Sequence, residues 1–440
     1  MHIGVVGLGY VGLVTAVGLA EIGHKIYCHD IDEQKMEALS QRRTPIYEIG
    51  LQEKLNHDVI FRRINVTCKM TEVVIKSDVI FVSVGTPSNE DGSANTEYVK
   101  AVIIAIAAVL NELEKPCEKY IVIKSTIPIG FTNNMQQLLK NLLINKESIS
   151  VSLAFCPEFL REGTAINDFL SPERIVIGAD DKKTAEHIGK IFSKFADKNV
   201  PFIYTNCVSA EMIKYTSNIM LASRVAIINE IADYAELVGG HISDISKAVG
   251  LDHRIGDKYL NASLGFGGSC LPKDIKAFSY LSKQFGLELP LIQAIFNSNE
   301  YHIQRWAERI IKIARANGVK NILVLGTAFK PGTDDIRESA AIKAINVLVA
   351  SKLNITIADP KALNNTKRIL GDSVNYVSNF YNILDCIDMI VVGTGWKEFS
   401  KLDIQKIKEK IKGNIIFDLC NILDQSLIEL NGFKYYGIAN

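Results

Sequence analysis

Two separate runs of alternating strands and helices predict an α/β protein. Apolar strand-like segments alternate with helical stretches in residues 1–205, and the same alternation returns after residue 319. Between them helical patterns dominate, and residues 209–238 read as one long helix without proline. Strand–helix alternation is typical of doubly wound parallel sheets. We therefore predict two Rossmann-like doubly wound domains (1–205 and 319–440) joined by a helical central domain (206–318) with a long central helix.

The predicted strands are short apolar runs bounded by turn residues. In the amino-terminal domain they cover residues 3–6, 25–29, 79–84, 120–124, 151–155, 174–177 and 202–204, with helices over 98–113 and 132–143. In the carboxy-terminal domain they cover residues 321–325, 355–358, 389–392, 415–418 and 433–436. The helical section between the two domains fits a linker domain or a subunit interface.

Composition excludes several classes of protein. Lys plus Arg equals Asp plus Glu at 49 each, so the basic excess of a nucleic-acid binder is absent. Residues 3–20 carry no charge, but five glycines interrupt them and no Lys or Arg precedes them, which argues against a membrane span or signal peptide. The eight cysteines are scattered without a C-x-x-C pair, so we expect neither a zinc site nor disulfides. We expect a cytoplasmic location and thiols that are mostly buried.

A glycine-rich turn between the first strand and the first helix predicts a dinucleotide site. In Gly7-Leu8-Gly9-Tyr10-Val11-Gly12, the first glycine permits a tight turn, the second lets a pyrophosphate approach, and the third lets helix and strand pack. The phosphates would lie at the positive end of the helix. Asp30 ends the second strand, where a carboxylate accepts hydrogen bonds from both ribose hydroxyls and repels a 2′-phosphate, so NAD is favoured over NADP. The alternative for Asp30 is a solvated acid at a strand end.

Two threonines follow later strands of the same domain. Thr86 and Thr126 fall where a doubly wound sheet places its ligand crevice. Their hydroxyls either bind cofactor or water, or cap turns.

The stretch Gly265-Phe266-Gly267-Gly268-Ser269-Cys270-Leu271-Pro272-Lys273-Asp274 is the most informative. Its glycines are expected to expose backbone N–H groups and to allow close approach of a ligand. Cys270 stands at the start of a predicted helix, whose dipole favours thiolate, and Asp274 follows on the same helical face. The alternative is an ordinary buried cysteine.

Three further polar side chains are candidates on other segments. Lys214 and Asn218 are four residues apart on the long helix and project from one face. Glu158 follows the strand over 151–155 and places a carboxylate at another strand end. The alternatives are a solvent-facing lysine and a carboxylate that begins a helix.

Eight ordered motifs between residues 7 and 339 together resemble the UDP-glucose/GDP-mannose dehydrogenase family. They are GLGYVG, VGTP, KSTIPIG, PEFLREGTA, EMIKYTSN, RIGDKYLNA, GFGGSCLPKD and FKPGTDDIRES. The resemblance implies an NAD-dependent, four-electron oxidation of a nucleotide sugar at C6, through a thiohemiacetal and a thioester on Cys270, in a homodimer. RIGDKYLNA and PIYEIGL favour UDP-glucose as the substrate; GDP-mannose, oxidised by the same mechanism, is the alternative.

The resemblance also implies roles for individual residues. The catalytic set is Cys270, Lys214, Asn218, Asp274, Glu158 and Thr126. The cofactor set is Gly7, Gly9, Tyr10, Val11, Gly12, Asp30, Lys35, Thr86, Thr126, Glu162, Lys273 and Arg337. The substrate set is Glu158, Phe159, Leu160, Arg161, Glu162, Lys214, Asn218, Arg254, Tyr259, Leu260, Asn261, Ala262, Ser263, Gly267 and Lys330, with Arg254 lent across the dimer interface. No metal, nucleic acid or membrane partner is expected.

Two other classes remain as competing hypotheses. A β-hydroxyacid dehydrogenase also pairs an NAD domain with helices that carry Lys and Asn four residues apart, but it needs neither the cysteine loop nor a second α/β domain. A non-catalytic protein that binds NAD or a sugar nucleotide for regulation would lack the thiol or the polar pair.

Overall fold

The computed structural model describes residues 1–143 and 148–439. It contains two compact units, one formed by Met1–Ser217 with Tyr280–Gly286 and the other by Asn218–Ser279 with Leu287–Asn440. The division into domains 1–205, 206–318 and 319–440 is not tested by these units and stays a prediction.

The first unit is built on one twisted sheet flanked by helices. Its strands are β1 (His2–Val6), β2 (Lys25–His29), β3 (Ile64–Val66), β4 (Val79–Val82), β5 (Cys117–Ile123), β6 (Ile149–Phe155), β7 (Ile175–Gly178) and β8 (Phe202–Thr205). Its helices are α1 (Tyr10–Glu21), α2 (Glu33–Ser40), α3 (Leu51–Asn56), α4 (Asp58–Phe61), α5 (Met70–Lys76), α6 (Glu97–Asn111), α7 (Phe131–Leu142), α8 (Ala165–Leu170), α9 (Lys182–Ile191) and α10 (Ser193–Ala196).

Strand order in this sheet fixes where a ligand can bind. Among the described residues the order is β3-β2-β1-β4-β5-β6-β7-β8, parallel throughout except between β6 and β7. From β1 the chain adds β2 and β3 on one side and then returns to add β4 on the other side of β1, so the strand order reverses between β1 and β4. Ligands of doubly wound sheets bind beyond the carboxyl ends of the strands at that point. All four residues of β4 are buried, as expected for a strand covered by helices on both faces.

The uncharged amino-terminal run folds as the first strand, turn and helix of this sheet. Nine of the twelve residues of α1 are buried, so its apolar character reflects packing inside the unit. Among the described residues, the structure has no helix that is long and apolar enough to cross a membrane.

Four helices connect the two sheets along the chain. They are α11 (Cys207–Val238), α12 (Ile242–Gly250), α13 (Leu271–Gln284) and α14 (Pro290–Ala316). The long central helix predicted over 209–238 is therefore confirmed and begins two residues earlier.

The second unit contains a second parallel sheet. Its strands are β9 (Asn321–Leu325), β10 (Asn354–Ala358), β11 (Asn375–Tyr376), β12 (Met389–Val392), β13 (Ile415–Asp418) and β14 (Lys434–Gly437), and its remaining α-helices are α15 (Ala340–Ala350), α16 (Leu363–Leu370), α17 (Ile404–Lys410) and α18 (Gln425–Leu430). In the described part of the chain the order is β11-β10-β9-β12-β13-β14, which repeats the order of the first six strands. The predicted pair of Rossmann-like sheets around a helical section is thus confirmed.

The cysteines are distributed differently from the sequence expectation. Only Cys28, Cys156 and Cys207 are buried, so the expectation that most would fill the core is wrong. Cys270 is exposed, which excludes the alternative that it is a core residue.

Candidate active site

The turn between β1 and α1 has the shape that the glycine motif predicts. Gly7 has a φ of +90°, and a Cβ on Gly12 would lie 1.7 Å from the Gly7 carbonyl oxygen. A Cβ on Gly9 would meet no atom within 4 Å, so open space lies beside the backbone at the start of α1. Side chains at Gly7 and Gly12 are sterically excluded, whereas Gly9 leaves room for a pyrophosphate at the positive helix end. These residues fit a dinucleotide.

Asp30 is tied to that turn. Its Oδ2 accepts a 2.6 Å hydrogen bond from the Leu8 N–H, and its Oδ1 accepts one from the Asp32 N–H at 2.9 Å. Lys35 places its Nζ 3.9 Å from Asp30 Oδ2. The alternative of a solvated strand-end acid is therefore excluded, and the carboxylate stands beside the glycine turn.

The crevice threonines are joined to each other. Thr86, after β4, donates its hydroxyl to the carbonyl oxygen of Thr126, after β5, at 2.8 Å. The hydroxyl of Thr86 thus links two strand ends, as in the turn-capping alternative, while the side chain of Thr126 stays partly exposed.

A buried ion pair follows the end of β6. Glu158 and Lys214 are 7% and 4% exposed, and Lys214 Nζ donates to Glu158 Oε1 and to the Glu158 carbonyl oxygen, each at 2.8 Å. Glu158 Oε2 accepts from the Leu160 N–H at 2.6 Å. Burial by itself would raise the pKa of Glu158, but the charge and hydrogen bond of Lys214, the Leu160 N–H and the charge of Lys124 outweigh it, so the pKa lies below its usual value. The carboxylate is held ionised, and the alternative of a solvent-facing lysine is excluded.

A second polar cluster surrounds Asp274 in the other unit. Asp274 is fully buried, and its Oδ2 accepts a 2.6 Å hydrogen bond from Asn218 Nδ2. Lys273 Nζ lies 2.9 Å from Asp274 Oδ1. Asn218 therefore orients this carboxylate directly, on the first turn of α13.

Cys270 immediately precedes α13, as predicted. Its carbonyl oxygen accepts the Asp274 N–H at 2.9 Å, which is the first hydrogen bond of the helix, and Ser269 Oγ lies 3.6 Å from its Sγ. A thiol at a helix amino terminus gains stabilisation of its thiolate from the helix dipole.

The glycines before Cys270 approach other parts of the chain itself. A Cβ on Gly267 would lie 2.3 Å from the Glu338 carbonyl oxygen, and one on Gly268 would lie 2.6 Å from the Phe329 ring. Gly268 has a φ of +84° and donates its N–H to the Arg337 carbonyl oxygen at 3.0 Å. The expectation that these glycines leave N–H groups open for a ligand is therefore wrong at Gly268. Their small size instead lets the loop before Cys270 pack closely against the segment 329–339.

The segment predicted as a substrate cradle is fixed by side chains from α11 and α14. Asn229 Oδ1 accepts the Ser263 N–H at 3.0 Å, and His302 Nε2 donates to the Ser263 carbonyl oxygen at 3.0 Å. Leu260 and Ala262 are buried, Asn261 is exposed, and Tyr259 adopts a left-handed φ of +61°. The backbone of this segment is thus held at Ser263 by hydrogen bonds to both of its peptide groups.

The remaining predicted residues lie in varied surroundings. Arg254 is exposed and bonds Asp252, with 2.6 Å between Nη2 and Oδ2. The other contacts are as follows: Tyr10 donates to the Tyr47 carbonyl oxygen, Arg161 pairs with Asp168, Arg337 pairs with Asp335, the Arg174 guanidinium lies 3.9 Å from the Phe159 ring centroid, and Lys330 Nζ lies 5.6 Å from that of Phe329. Val11, Leu160 and Glu162 are partly exposed.

Two buried charged residues of the first unit were not predicted. Glu211, fully buried on α11, accepts hydrogen bonds from the Gly130 and Thr132 N–H groups and so caps α7; burial raises its pKa. Lys124, directly after β5, is 5% exposed and points its Nζ at the Cys156 and Pro157 carbonyl oxygens. Lys124 lies within the motif KSTIPIG, which was the only sequence signal for it.

Three family models cover most of the chain in order. The UDP-glucose/GDP-mannose dehydrogenase family's NAD binding domain matches residues 1–196, its central domain matches residues 208–301, and its UDP binding domain matches residues 323–425. The chain belongs to the UDP-glucose/GDP-mannose dehydrogenase family. The glycine turn and Asp30 thus lie in the NAD-binding domain of this family member, which uses NAD as its cofactor.

Individual relatives agree with this assignment. A UDP-glucose 6-dehydrogenase of Rickettsia felis is 38% identical over 442 residues, which cover all of this dehydrogenase and 96% of the relative. A UDP-glucose dehydrogenase structure from Pyrobaculum islandicum is 34% identical with a TM-score of 0.89, covering 100% of this chain and 97% of that one. A GDP-mannose dehydrogenase structure from Pseudomonas aeruginosa is 29% identical with a TM-score of 0.55, covering both chains completely.

Proposed function

We propose that this dehydrogenase oxidises UDP-glucose to UDP-glucuronate and reduces two NAD per sugar. The observation that carries the proposal is the exposed thiol of Cys270 at the amino terminus of α13, on a chain that has the family's NAD-binding and UDP-binding domains. The names of the relatives at 34–38% identity support UDP-glucose over GDP-mannose.

The chemistry explains why a thiol is needed. NAD, when bound, supplies the hydride acceptor for both oxidations. The C6 alcohol first loses its hydroxyl proton and a hydride and becomes an aldehyde, whose trigonal carbon cannot release a second hydride directly. The Cys270 thiolate adds to this carbon and forms a tetrahedral thiohemiacetal. Loss of the second hydride gives a thioester, and water then releases the carboxylate and the free thiol.

The buried polar groups are assigned to proton transfer and charge stabilisation. Lys214 and Asn218 are the proposed hydrogen-bond donors to the oxyanion of the tetrahedral intermediates, and loss of one such donor costs about 10²–10³ in rate. Glu158 and Asp274 are the proposed bases for the alcohol and for the hydrolytic water, in either order, and Thr126 is proposed to hold a water.

Stoichiometry tests the proposal directly. We expect two NADH per UDP-glucuronate, measured by absorbance against a known amount of UDP-glucose. Cys270→Ala should bind NAD normally but form no acid. A ratio of one, or near-normal acid formation by the variant, would contradict the proposal. Parallel assays with UDP-glucose and GDP-mannose distinguish the two substrates.

We further propose a homodimer formed through the part of α11 between Met220 and Leu237. Met220, Ile227, Ile231, Tyr234 and Leu237 recur at helical spacing along this helix, and all are more than 40% exposed. An apolar stripe of this kind marks a protein interface. Arg254 is proposed to reach the diphosphate of the substrate bound by the second copy. Sedimentation of the wild-type protein and of Leu237→Glu tests the dimer, and an unchanged mass in the variant would argue against this face.

Domain organisation and cellular location complete the proposal. The three family models support domain limits at 1–205, 206–318 and 319–440. A cytoplasmic location is proposed because a reducing compartment keeps a catalytic thiol free.

A further inference from the structure

Lys124 is a buried cation in the first unit without a described carboxylate in hydrogen-bonding contact. Its Nζ donates to the Cys156 carbonyl oxygen at 3.3 Å and to the Pro157 carbonyl oxygen at 3.5 Å, and lies 3.9 Å from Cys156 Sγ. The side chain is 5% exposed. Removing an ammonium group from water is costly, so a lysine in this position needs a compensating negative charge nearby.

The peptide held by Lys124 leads directly into Glu158. Cys156 and Pro157 lie between the end of β6 and this residue, and Lys124 donates hydrogen bonds to both of their carbonyl oxygens. Lys214 donates to the carbonyl oxygen and to the carboxylate of Glu158 itself. Glu158 is therefore held by Lys214 of α11 and follows a peptide that is held by Lys124, which comes directly after β5.

Charge balance in this cluster is unequal. Lys124, Lys214 and Glu158 are all at most 7% exposed, so two positive charges face one negative charge away from water. Of the groups around Glu158, the Leu160 N–H adds a further positive dipole. The Coulomb attraction of Lys124 acts in the same direction as that of Lys214 and lowers the pKa of Glu158 against its burial.

We propose that Lys124 is a positioning residue that fixes Glu158 in place and keeps it ionised, so that Glu158 can accept a proton during the oxidation. This inference rests on the proposed function, in which Glu158 is a base. Lys124 itself need not touch the substrate.

Strand β5, which ends directly before Lys124, provides a matched control. Lys119, on β5, is 6% exposed and donates its Nζ to the carbonyl oxygens of Ile75 and Ser77. It resembles Lys124 in burial and in bonding to backbone carbonyls, but its partners lie before β4 and not before Glu158. Lys119→Met thus removes a buried ammonium group from the neighbouring strand β5 and leaves the hydrogen-bond partners of Glu158 unchanged.

The experiment compares the pH dependence of kcat/KM for UDP-glucose in Lys124→Met, Lys124→Gln and Lys119→Met. Glutamine keeps an N–H donor for one carbonyl oxygen. Lys124→Gln therefore keeps part of the hydrogen bonding to the Cys156–Pro157 peptide and serves as the second variant if Lys124→Met folds poorly. Loss of the charge should raise the pKa of Glu158, so both Lys124 variants should move the acidic limb of the kcat/KM profile to higher pH. In Lys119→Met the acidic limb of the kcat/KM profile should lie at the same pH as in the wild type. In a Glu158→Gln background, Lys124→Gln should add no shift.

The outcomes separate this inference from the proposed function. A shift of the acidic limb that is confined to the Lys124 variants supports the role of Lys124. Acidic limbs at the same pH in Lys124→Gln and Lys119→Met overturn it. The ratio of NADH to UDP-glucuronate is measured in the same samples. A ratio of two with no shift rejects the role of Lys124 alone, whereas any other ratio in the wild type rejects the proposed function.

Discussion

Replacing Lys214 by methionine should destabilise the protein and slow the reaction through different physical causes. Lys214 and Glu158 are 4% and 7% exposed, with 2.8 Å between Nζ and Oε1. Removing one partner of a buried ion pair leaves an uncompensated charge and costs about 3–5 kcal/mol of unfolding free energy. We expect the lower end of that range, because Glu158 keeps the hydrogen bond from the Leu160 N–H and the charge of Lys124.

The sign of the pH dependence follows from the pKa of Glu158. In the native protein that pKa is lowered, because Lys214 outweighs the effect of burial, so the carboxylate contributes stability at neutral pH that is lost as the pH falls through the folded pKa. In Lys214→Met we expect burial to dominate and to raise the pKa above the unfolded value. The deficit of the variant should therefore be largest at neutral pH and shrink as the pH falls toward about 4.3, the ordinary pKa of a glutamate.

Urea denaturation at pH 7 and near pH 4, followed by circular dichroism, measures this difference. The double variant Lys214→Met/Glu158→Gln removes both charges, so it should recover most of the lost stability while its activity remains about 10²–10³-fold low. A double variant as unstable as the single one, or a single variant with unchanged stability at pH 7, would refute the argument that Lys214 compensates a buried carboxylate.

Three further predictions concern the thiol, the loop before it and the dinucleotide turn. Cys270→Ser should abolish acid formation because an alkoxide is not available at neutral pH, whereas Cys386→Ala, which removes another exposed thiol, should keep full activity in the NADH assay. Gly268→Ala should cost about 1–3 kcal/mol in thermal or urea unfolding through an aromatic clash and a left-handed φ, and Gly286→Ala, with a similar φ but open space around its Cβ, should cost about 1 kcal/mol. Asp30→Ala should weaken NAD binding about 10- to 100-fold in a fluorescence titration and reduce the discrimination against NADP.

Most of the fold was predictable because its strands carry a strong local signal. The central strands of both sheets are buried apolar runs flanked by turn residues, and all of them were predicted within a few residues. β3 and β11 were missed: they contain only three and two residues and lie at sheet edges, so they show neither a long apolar run nor a clear alternation. Pairing with a longer neighbour, rather than propensity, makes them strands.

The site was predictable only where a local motif carries it. Gly7 and Cys270 belong to short motifs whose spacing already implies a turn or a helix start. Glu211 accepts the N–H of Thr132, 79 residues away, and Asn299 of α14 accepts the N–H of Phe266, 33 residues away in the glycine-rich segment before Cys270. No local sequence pattern indicates such contacts. The error about Gly268 has the same origin, because its neighbour in the folded chain is the distant segment 329–339.

The two sheets share one strand order, yet their corresponding acids indicate that only the first is built for a dinucleotide. Asp359 follows β10 as Asp30 follows β2, and Gly326, with a φ of +95°, takes the place of Gly7. The Asp359 carboxylate is 8% exposed and accepts hydrogen bonds from the N–H groups of Thr327, Ala328, Lys361, Ala362 and the Trp396 indole. A carboxylate has about four lone-pair sites, so these donors leave none for ribose hydroxyls. Only two backbone donors are described for Asp30, which leaves acceptor sites for the cofactor. A shared strand order therefore does not by itself make both sheets dinucleotide sites, because the acid of the second sheet already has its acceptor sites filled.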